Sequence, residues 1–445
     1  MMKGVTLEMN KSKQKREKIK PRFTDKKLTN YAGLVPFSSF MLDSLSFDQI
    51  IENNCQLPMG HNITFQTSQI LSTIVFGYLT GFDRINQFEE LSKDLTVQKL
   101  LGLPKYIDEN TIAYRLNKFD KKHIQSFKQS LATTMKSNHR KYNLSKNERI
   151  LDIDSSGVPV YGKQEGAKKG YNTKKRGLKS YHPIFCFLKG TKECINSKLR
   201  PGNTYTGKDA DKFLKECWDK VPGLNSKYLV RADSGFFNKD FLKEVEDKGA
   251  NYLVKVKLKN LKSLLRSPDW EPVLDIDDIE YCEFDYKCGG WEKSRKFIGI
   301  RKVKINKEGV CPVREYDYFC FVTNLEEAPI EIYYLYRDRG ECENWIEHAK
   351  NQLSAGTTKL DSFKANIILW QLAIYAYNLT IWLRYLCADR KYWRQEPATF
   401  RRWFINIAGN LVYTARQYYL NLQKFYYYRN KWLHIYNNIV EIQLQ

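Results

Sequence analysis

Five short β-rich runs in the middle of the chain, ILDIDSS, YHPIFCFL, ECINSKL, YLVRADSG and NYLVKVKL, restrict its fold more than any other feature. Each is bounded by Gly, Asn, Asp or Pro, as strands between turns are. Helical patterns separate only the later runs: DADKFLKECWDK lies between the third and fourth, and FNKDFLKEVEDKG between the fourth and fifth. Three consecutive strands followed by alternating helix and strand predict an α/β layout with a mixed sheet.

Charge narrows the partners. Lys and Arg number 73 against 50 Asp and Glu, a formal +23 over 445 residues. Such an excess attracts polyanions, nucleic acid first, with ribosomes or an anionic membrane as the bland alternatives. The ten cysteines form no Cys-x-x-Cys pair and no Cys/His cluster of zinc spacing. Several lie in apolar runs and read as reduced, buried thiols of a reducing compartment. The N-terminal MMKGVTLEMNKSKQKREKIK has no apolar segment of signal-peptide type, so a cytoplasmic location is expected. The uncharged stretch from Ala365 to Leu383 approaches a membrane span in length. Asn366, Gln371, Asn378 and Thr380 recur through it, which predicts a buried core helix and no membrane partner.

Around the core, residues 1–30 form a basic arm that either tracks phosphates or is a solvated tail. Residues 31–145 are helical in pattern. There Asp108 or Asn110 caps a helix presenting Arg115 and Lys118, either a helix-turn-helix reader or a bundle helix. The core's first part spans 146–258. Residues 259–328 interrupt it with a β-rich insertion, read as a hairpin or meander turning at Gly289-Gly290 and followed by the strand YDYFCFVTNL. The core resumes over 329–385, and 386–445 is a helical, aromatic C-terminal region. Its run QYYLNLQKFYYYRNKWLHIY contacts nucleic acid, contacts a second subunit, or packs on the core.

Two of the runs end in acids. Asp152 and Asp154 project from one face of the first strand, with Asp154 nearer its C-terminal end, and the fourth strand ends in Asp233. Either alone reads as a turn or helix cap; together they suit the site that open α/β sheets form at strand C-termini. A third element, YYLYRDRGECENWIEHAKNQL, reads as one helix. At about 100° per residue, Tyr336, Arg339, Glu343 and Lys350 fall within an arc of about 60°, with Glu347 a near rival to Glu343. Three carboxylates from separate elements suit hard divalent cations. A pair of such ions roughly 3.5–4 Å apart neutralises both oxygens of a phosphodiester displacement.

Asp-Ser-Ser after the first strand, Asp-Ser-Gly after the fourth and the spaced Tyr336, Arg339, Glu343 and Lys350 resemble the DDE-type transposases of bacterial insertion sequences. The likeness covers roughly 150 to 385. It implies an RNase H-like mixed-sheet core with the β-rich insertion, flanked by helical N- and C-terminal regions. It implies that Asp154, Asp233 and Glu343 are catalytic and hold two Mg²⁺ ions, with Mn²⁺ able to substitute. Tyr336, Arg339 and Lys350 match positions that contact the DNA end. The implied reaction is cleavage at the element's ends and transfer of the 3′ hydroxyls into target DNA, by a homodimer on double-stranded terminal repeats. A nucleoid-associated location goes with it. The loop from Lys163 to Lys179 carries Lys168, Lys169, Lys174, Lys175 and Arg176, either a DNA-tracking surface or a solvated loop. Trp270 and Trp291 are candidates for a stacking wedge or packed aromatics. Gly340 stands where a hairpin-forming relative carries an aromatic. The rival readings are a DNA-binding derivative without activity, a nuclease that does not join, and a membrane-associated basic protein.

Overall fold

The computed structural model describes residues 19–55, 57, 63–142, 149–170, 177–221, 228–266, 268–274, 276–306, 313–357 and 359–444. Strand β1 (Lys27–Thr29) precedes a helical region over 34–142. There follow β2 (Ile150–Ser155), three short strands β3 (Val158–Pro159), β4 (Lys168–Lys169) and β5 (Lys179–Tyr181), then β6 (Ile184–Leu188) and β7 (Cys194–Lys198). The helix Ala210–Trp218 leads to β8 (Leu229–Ala232), and Lys239–Asp247 leads to β9 (Asn251–Lys255). The expected alternation of strand and helix is present.

These strands join those of the insertion, β10 (Glu271–Pro272), β11 (Ile279–Tyr286), β12 (Arg295–Asn306) and β13 (Val313–Thr323). The nine-stranded sheet has the order β10-β11-β12-β13-β9-β8-β2-β6-β7. Strand β2 lies third from one edge, antiparallel to β6 and parallel to β8, and β8 is parallel to β9. The insertion is a meander, one of the sequence's two readings, with Gly290 in the left-handed region of the turn between β11 and β12 (φ 76°). It also extends the sheet that contains β2 and β8, because β13 pairs with β9 in antiparallel register.

The long apolar segment lies within the helix Phe363–Cys387, buried along nearly its whole length. Its polar residues explain why it belongs inside a protein. Asn378 accepts from the Cys194 N–H (2.8 Å) and donates to the Cys194 carbonyl (2.9 Å), Gln371 donates to the Ser197 carbonyl (2.7 Å), and Asn366 donates to the Tyr181 hydroxyl (3.1 Å). Each satisfies an amide that burial would otherwise penalise. Among the described residues no helix is long and apolar enough to cross a membrane. The helix Thr67–Thr80 is also buried almost all round, and Phe47 stacks on Tyr375 (4.8 Å), so the N-terminal helices share the apolar core. The nine described cysteines are free and buried.

One element departs from the helical expectation for the C-terminal region. Residues 409–422 form a hairpin, β14 (Gly409–Thr414) and β15 (Gln417–Leu422), whose far edge pairs with β1. Its turn residues Ala415 and Arg416 both have positive φ (48° and 62°). Such two-residue turns normally show Asn or Gly, so the sequence carried no turn signal there. The chain continues through the helix Arg429–Leu444.

Candidate active site

Parallel pairing of β2 with β8 puts Ile153 opposite Ala232, so Asp154, still within β2 and opposite Phe185 of β6, lies beside Asp233, the first residue after β8. Backbone donors orient both carboxylates. Asp154 Oδ1 accepts from its neighbour Ser155 N–H (2.7 Å), and Asp233 Oδ1 accepts from Gly235 N–H (2.9 Å), capping the tight turn Ser234–Phe236. Burial raises the Asp233 pKa, and the negative charge of Asp154 raises it further, against Arg339 and Lys257. The two aspartates are therefore electrostatic neighbours.

The third element joins them through Arg339. Its Nη1 donates to Asp154 Oδ2 at 3.1 Å, with both side chains largely buried. Burial works against the guanidinium charge, but Asp154 and Tyr336 more than offset it, so the Arg339 pKa is raised. Its Nε is buried and has no hydrogen-bond partner among the described residues. The Tyr336 ring lies under the guanidinium (5.6 Å) and against Phe321 (4.6 Å). Lys350 Nζ donates to Ser156 Oγ (2.9 Å) and the Gly157 carbonyl (2.8 Å), just beyond β2. Arg339 and Lys350 thus meet the end of β2, with Tyr336 packed under Arg339.

The helical-wheel assumption of one regular helix does not hold. The segment is an α-helix over Pro329–Arg337, a 3₁₀ turn over Asp338–Gly340, an α-helix over Glu341–Glu347 and a π turn over His348–Gln352. The tightened turn is where Arg339 meets Asp154. Glu343 follows one turn later, about 5.4 Å along the axis. It is exposed, and it makes no ion pair among the described residues. Glu347 is engaged elsewhere: it accepts from Asn351 Nδ2 (3.1 Å) and Gln352 Nε2 (3.4 Å) and lines a pocket with Lys192, Arg384 and Arg394.

Two oriented carboxylates at adjacent strand ends are a donor set for a hard divalent cation. The proton affinity that Asp154 lends Asp233 is the electrostatic demand that such a cation would meet. Among the described residues, however, no three His, Cys, Asp or Glu side chains stand close enough together to hold a metal. The structure gathers Asp154 and Asp233 and leaves Glu343 outside that set.

A buried ion pair behind the site was not foreseen. Asp152 accepts from Arg231 Nε and Nη2, both at 2.7 Å, with neither side chain exposed, and Arg231 Nη1 donates to the Leu335 carbonyl. One guanidinium thus ties β2, β8 and the segment carrying Tyr336 and Arg339. The sequence pairs Asp152 with Asp154 on one strand face, yet only the partner distinguishes a clamp from a ligand. His182 is also near: its Nδ1 lies 2.6 Å from the Thr204 carbonyl, and burial lowers its pKa against the opposing charge of Asp154. The Tyr-His-Pro tripeptide before β6 was its only sequence signal.

The basic loop is partly described. Lys168 and Lys169 form β4, exposed, in a small sheet of order β3-β5-β4. Lys174, Lys175 and Arg176 lie outside the described residues. Backbone packs against backbone here: a Cβ on Gly202 would fall 1.8 Å from the Ser180 carbonyl oxygen. Both inserted tryptophans are packed. Trp291 is buried against Phe237 (5.2 Å), and half-buried Trp270 donates to the Leu265 carbonyl (3.2 Å) under Arg301 (4.5 Å).

Comparison with known proteins gives one strong result. The profile of the family described as transposase DDE domain group 1 matches residues 11–444. No curated protein matches the chain. Among solved structures, a cryo-EM structure of the piggyBac transposase synaptic complex with hairpin DNA aligns at 13% identity over 83% of this chain and 78% of that one, with a TM-score of 0.46. An S-adenosylmethionine-dependent methyltransferase from Clostridium acetobutylicum aligns at 13% identity over 29% of this chain and 59% of that one, with a TM-score of 0.10. Both likenesses are too distant to bear on the reaction.

Proposed function

The chain belongs to the transposase DDE domain group 1 family, enzymes of DNA transposition that depend on divalent metal, and from that membership we propose that Asp154, Asp233 and Glu343 are its catalytic carboxylates. Two Mg²⁺ ions held by them, replaceable by Mn²⁺, would neutralise charge on the scissile phosphate and activate the attacking hydroxyl. The observation that carries the assignment is the placement of Asp154, near the end of β2, beside Asp233, just past the end of the parallel neighbour β8, with Arg339 bound to Asp154.

The chain's own side chains divide the remaining work. Asp154 and Asp233, oriented by the Ser155 and Gly235 amides, present oxygens toward the space beyond the strands. Arg339 neutralises Asp154 in this conformation, and once a cation takes that carboxylate its guanidinium has donor capacity for a phosphate oxygen. Lys350 and Tyr336 flank the same strand end and steady the DNA end beside the cleaved bond. Lys168 and Lys169, with Lys174, Lys175 and Arg176 of the same loop, track the duplex backbone. Glu343 completes the set by a movement of the helix Glu341–Glu347, which is bounded by the 3₁₀ turn Asp338–Gly340 and the π turn His348–Gln352. Water is the first nucleophile and a DNA 3′ hydroxyl the second, acting on terminal inverted repeats and target DNA within a homodimer. The core segments 146–258 and 329–385 form the catalytic unit, and the flanking regions serve DNA contact and assembly.

The test is single alanine substitution at Asp154, Asp233 and Glu343, with Glu347→Ala as control. Mg²⁺-dependent cleavage of end DNA is expected to fall at least a thousandfold in the first three, while DNA binding persists and the control stays active. Loss in Glu347→Ala with activity in Glu343→Ala would move the third ligand by a turn. Strand-transfer products on labelled end DNA distinguish a transposase from a nuclease.

A further inference from the structure

We propose that the β14–β15 hairpin is a DNA-contacting ribbon that lies in a groove of duplex DNA. The inference rests on the reading of the substrate as DNA and adds a second contact, separate from the carboxylate site. No Asp or Glu occurs between Glu396 and Glu441, while six Lys and Arg do. Of these, Arg402, Arg416, Lys424 and Arg429 are exposed, and none forms an ion pair with a carboxylate among the described residues. Strand β1, from the basic N-terminal arm, pairs along β14 and adds exposed Lys27 beside Leu411. Two acid-poor segments from opposite ends of the chain therefore meet in one sheet.

The hairpin's two faces differ. One carries Leu411 paired with Leu420, which anchor the base, and then Tyr413 paired with Tyr418 (rings 4.7 Å apart), exposed at the tip. The other pairs Asn410 with Asn421, Val412 with Tyr419 and Thr414 with Gln417. Asn421, Tyr419, Thr414 and Gln417 are exposed. That second face is uncharged and rich in amides and hydroxyls, the groups that read base edges, with an apolar side chain between them. Beyond β1, which pairs only with Gly409–Leu411, the hairpin is a two-stranded ribbon of a width that the major groove admits. Arg416 sits at the tip at φ 62°, where Gly or Asn would be less strained. The turn thus keeps a cation at the position that leads into a groove. A second copy of this chain would bring the same cations against these, so the charge favours a polyanion over self-association.

The test uses the full chain with a fluorescein-labelled, mixed-sequence DNA duplex, and anisotropy as a function of salt. Arg416→Ala with Lys424→Ala should flatten the log–log salt dependence by about two and weaken binding roughly thirtyfold near 0.15 M salt. Gln417→Ala with Asn421→Ala should leave that affinity within about threefold, yet lose roughly tenfold of the preference for the duplex that the wild type enriches from a random pool. Circular dichroism checks that both variants keep the fold. Unchanged affinity, slope and preference in both would overturn the hairpin assignment while wild-type binding still supports a DNA substrate. Failure of the wild type to bind any duplex would overturn both. Variants that bind DNA normally but shift the sedimentation coefficient would assign the hairpin to a second copy and end the proposal.

Discussion

Removing the Asp152 carboxylate should damage both the fold and the reaction, and by separable amounts. Asp152 and Arg231 are fully buried and joined by two bonds of 2.7 Å, with the third arm of the guanidinium on the Leu335 carbonyl. Asp152→Leu leaves a buried cation without its partner, at a cost of about 3–5 kcal/mol. For 445 residues the unfolding entropy is about 0.9 kcal/mol/K, so Tm should drop by about 3–5 °C. Adding Arg231→Met removes the stranded charge, and the apolar pair should recover most of that stability. It does not restore the tie to Leu335, so the Tyr336–Arg339 segment loses its anchor to the strands bearing Asp154 and Asp233. Displacement of about 1 Å in a catalytic group can cost a hundredfold. The double variant should therefore melt near the wild type and cleave DNA about a hundredfold more slowly. Calorimetry with a cleavage time course checks both halves. A single variant losing less than about 1 kcal/mol would refute the buried-pair argument. A stable double variant with full activity would show that the clamp has no part in positioning.

Two further outcomes follow from the site and the core. Because the folded Asp233 carboxyl has its pKa raised by burial and by Asp154, its contribution to stability is present below the unfolded value of about 3.8 and is lost as pH rises through the folded value. Asp233→Asn keeps the acceptor for Gly235 and should melt above the wild type at pH 7 in metal-free buffer, the difference closing in acid; a lower Tm at pH 7 would contradict the shift. Asn378→Leu strands the amide and carbonyl of Cys194 and should cost about 1–3 kcal/mol, measured by denaturant titration, whereas an unchanged midpoint would mean that water or another group replaces the amide.

The carboxylates were legible because Asp154 and Asp233 each end an apolar strand, and the spacing of Tyr336, Arg339, Glu343 and Lys350 is readable without a structure. The clamp was not. A carboxylate two residues from Asp154 reads as a surface or site group, and only the register of β2 on β8 reveals that Arg231 meets Asp152 inside the sheet. The helix Phe363–Cys387 was legible as core through its recurrent amides, which proved to be hydrogen-bonded to Tyr181, Ser197 and Cys194. Local pattern showed the insertion's strands but not their pairing with β9, which depends on residues more than sixty positions away. The hairpin at 409–422 escaped because Ala415-Arg416 has no turn-forming residue, so tertiary pairing with β1 overrides the local signal.

The central claim is that three acids distant in sequence converge on bound cations when DNA is engaged. Iron-directed backbone cleavage tests it most directly: Fe²⁺ replaces Mg²⁺ in the chain–DNA complex, ascorbate is added, and peptide cuts are mapped by mass spectrometry. The account predicts cuts beside Asp154, Asp233 and Glu343 that excess Mg²⁺ suppresses. Cuts confined to other segments, or a third cut beside Glu347 with none at Glu343, would contradict it.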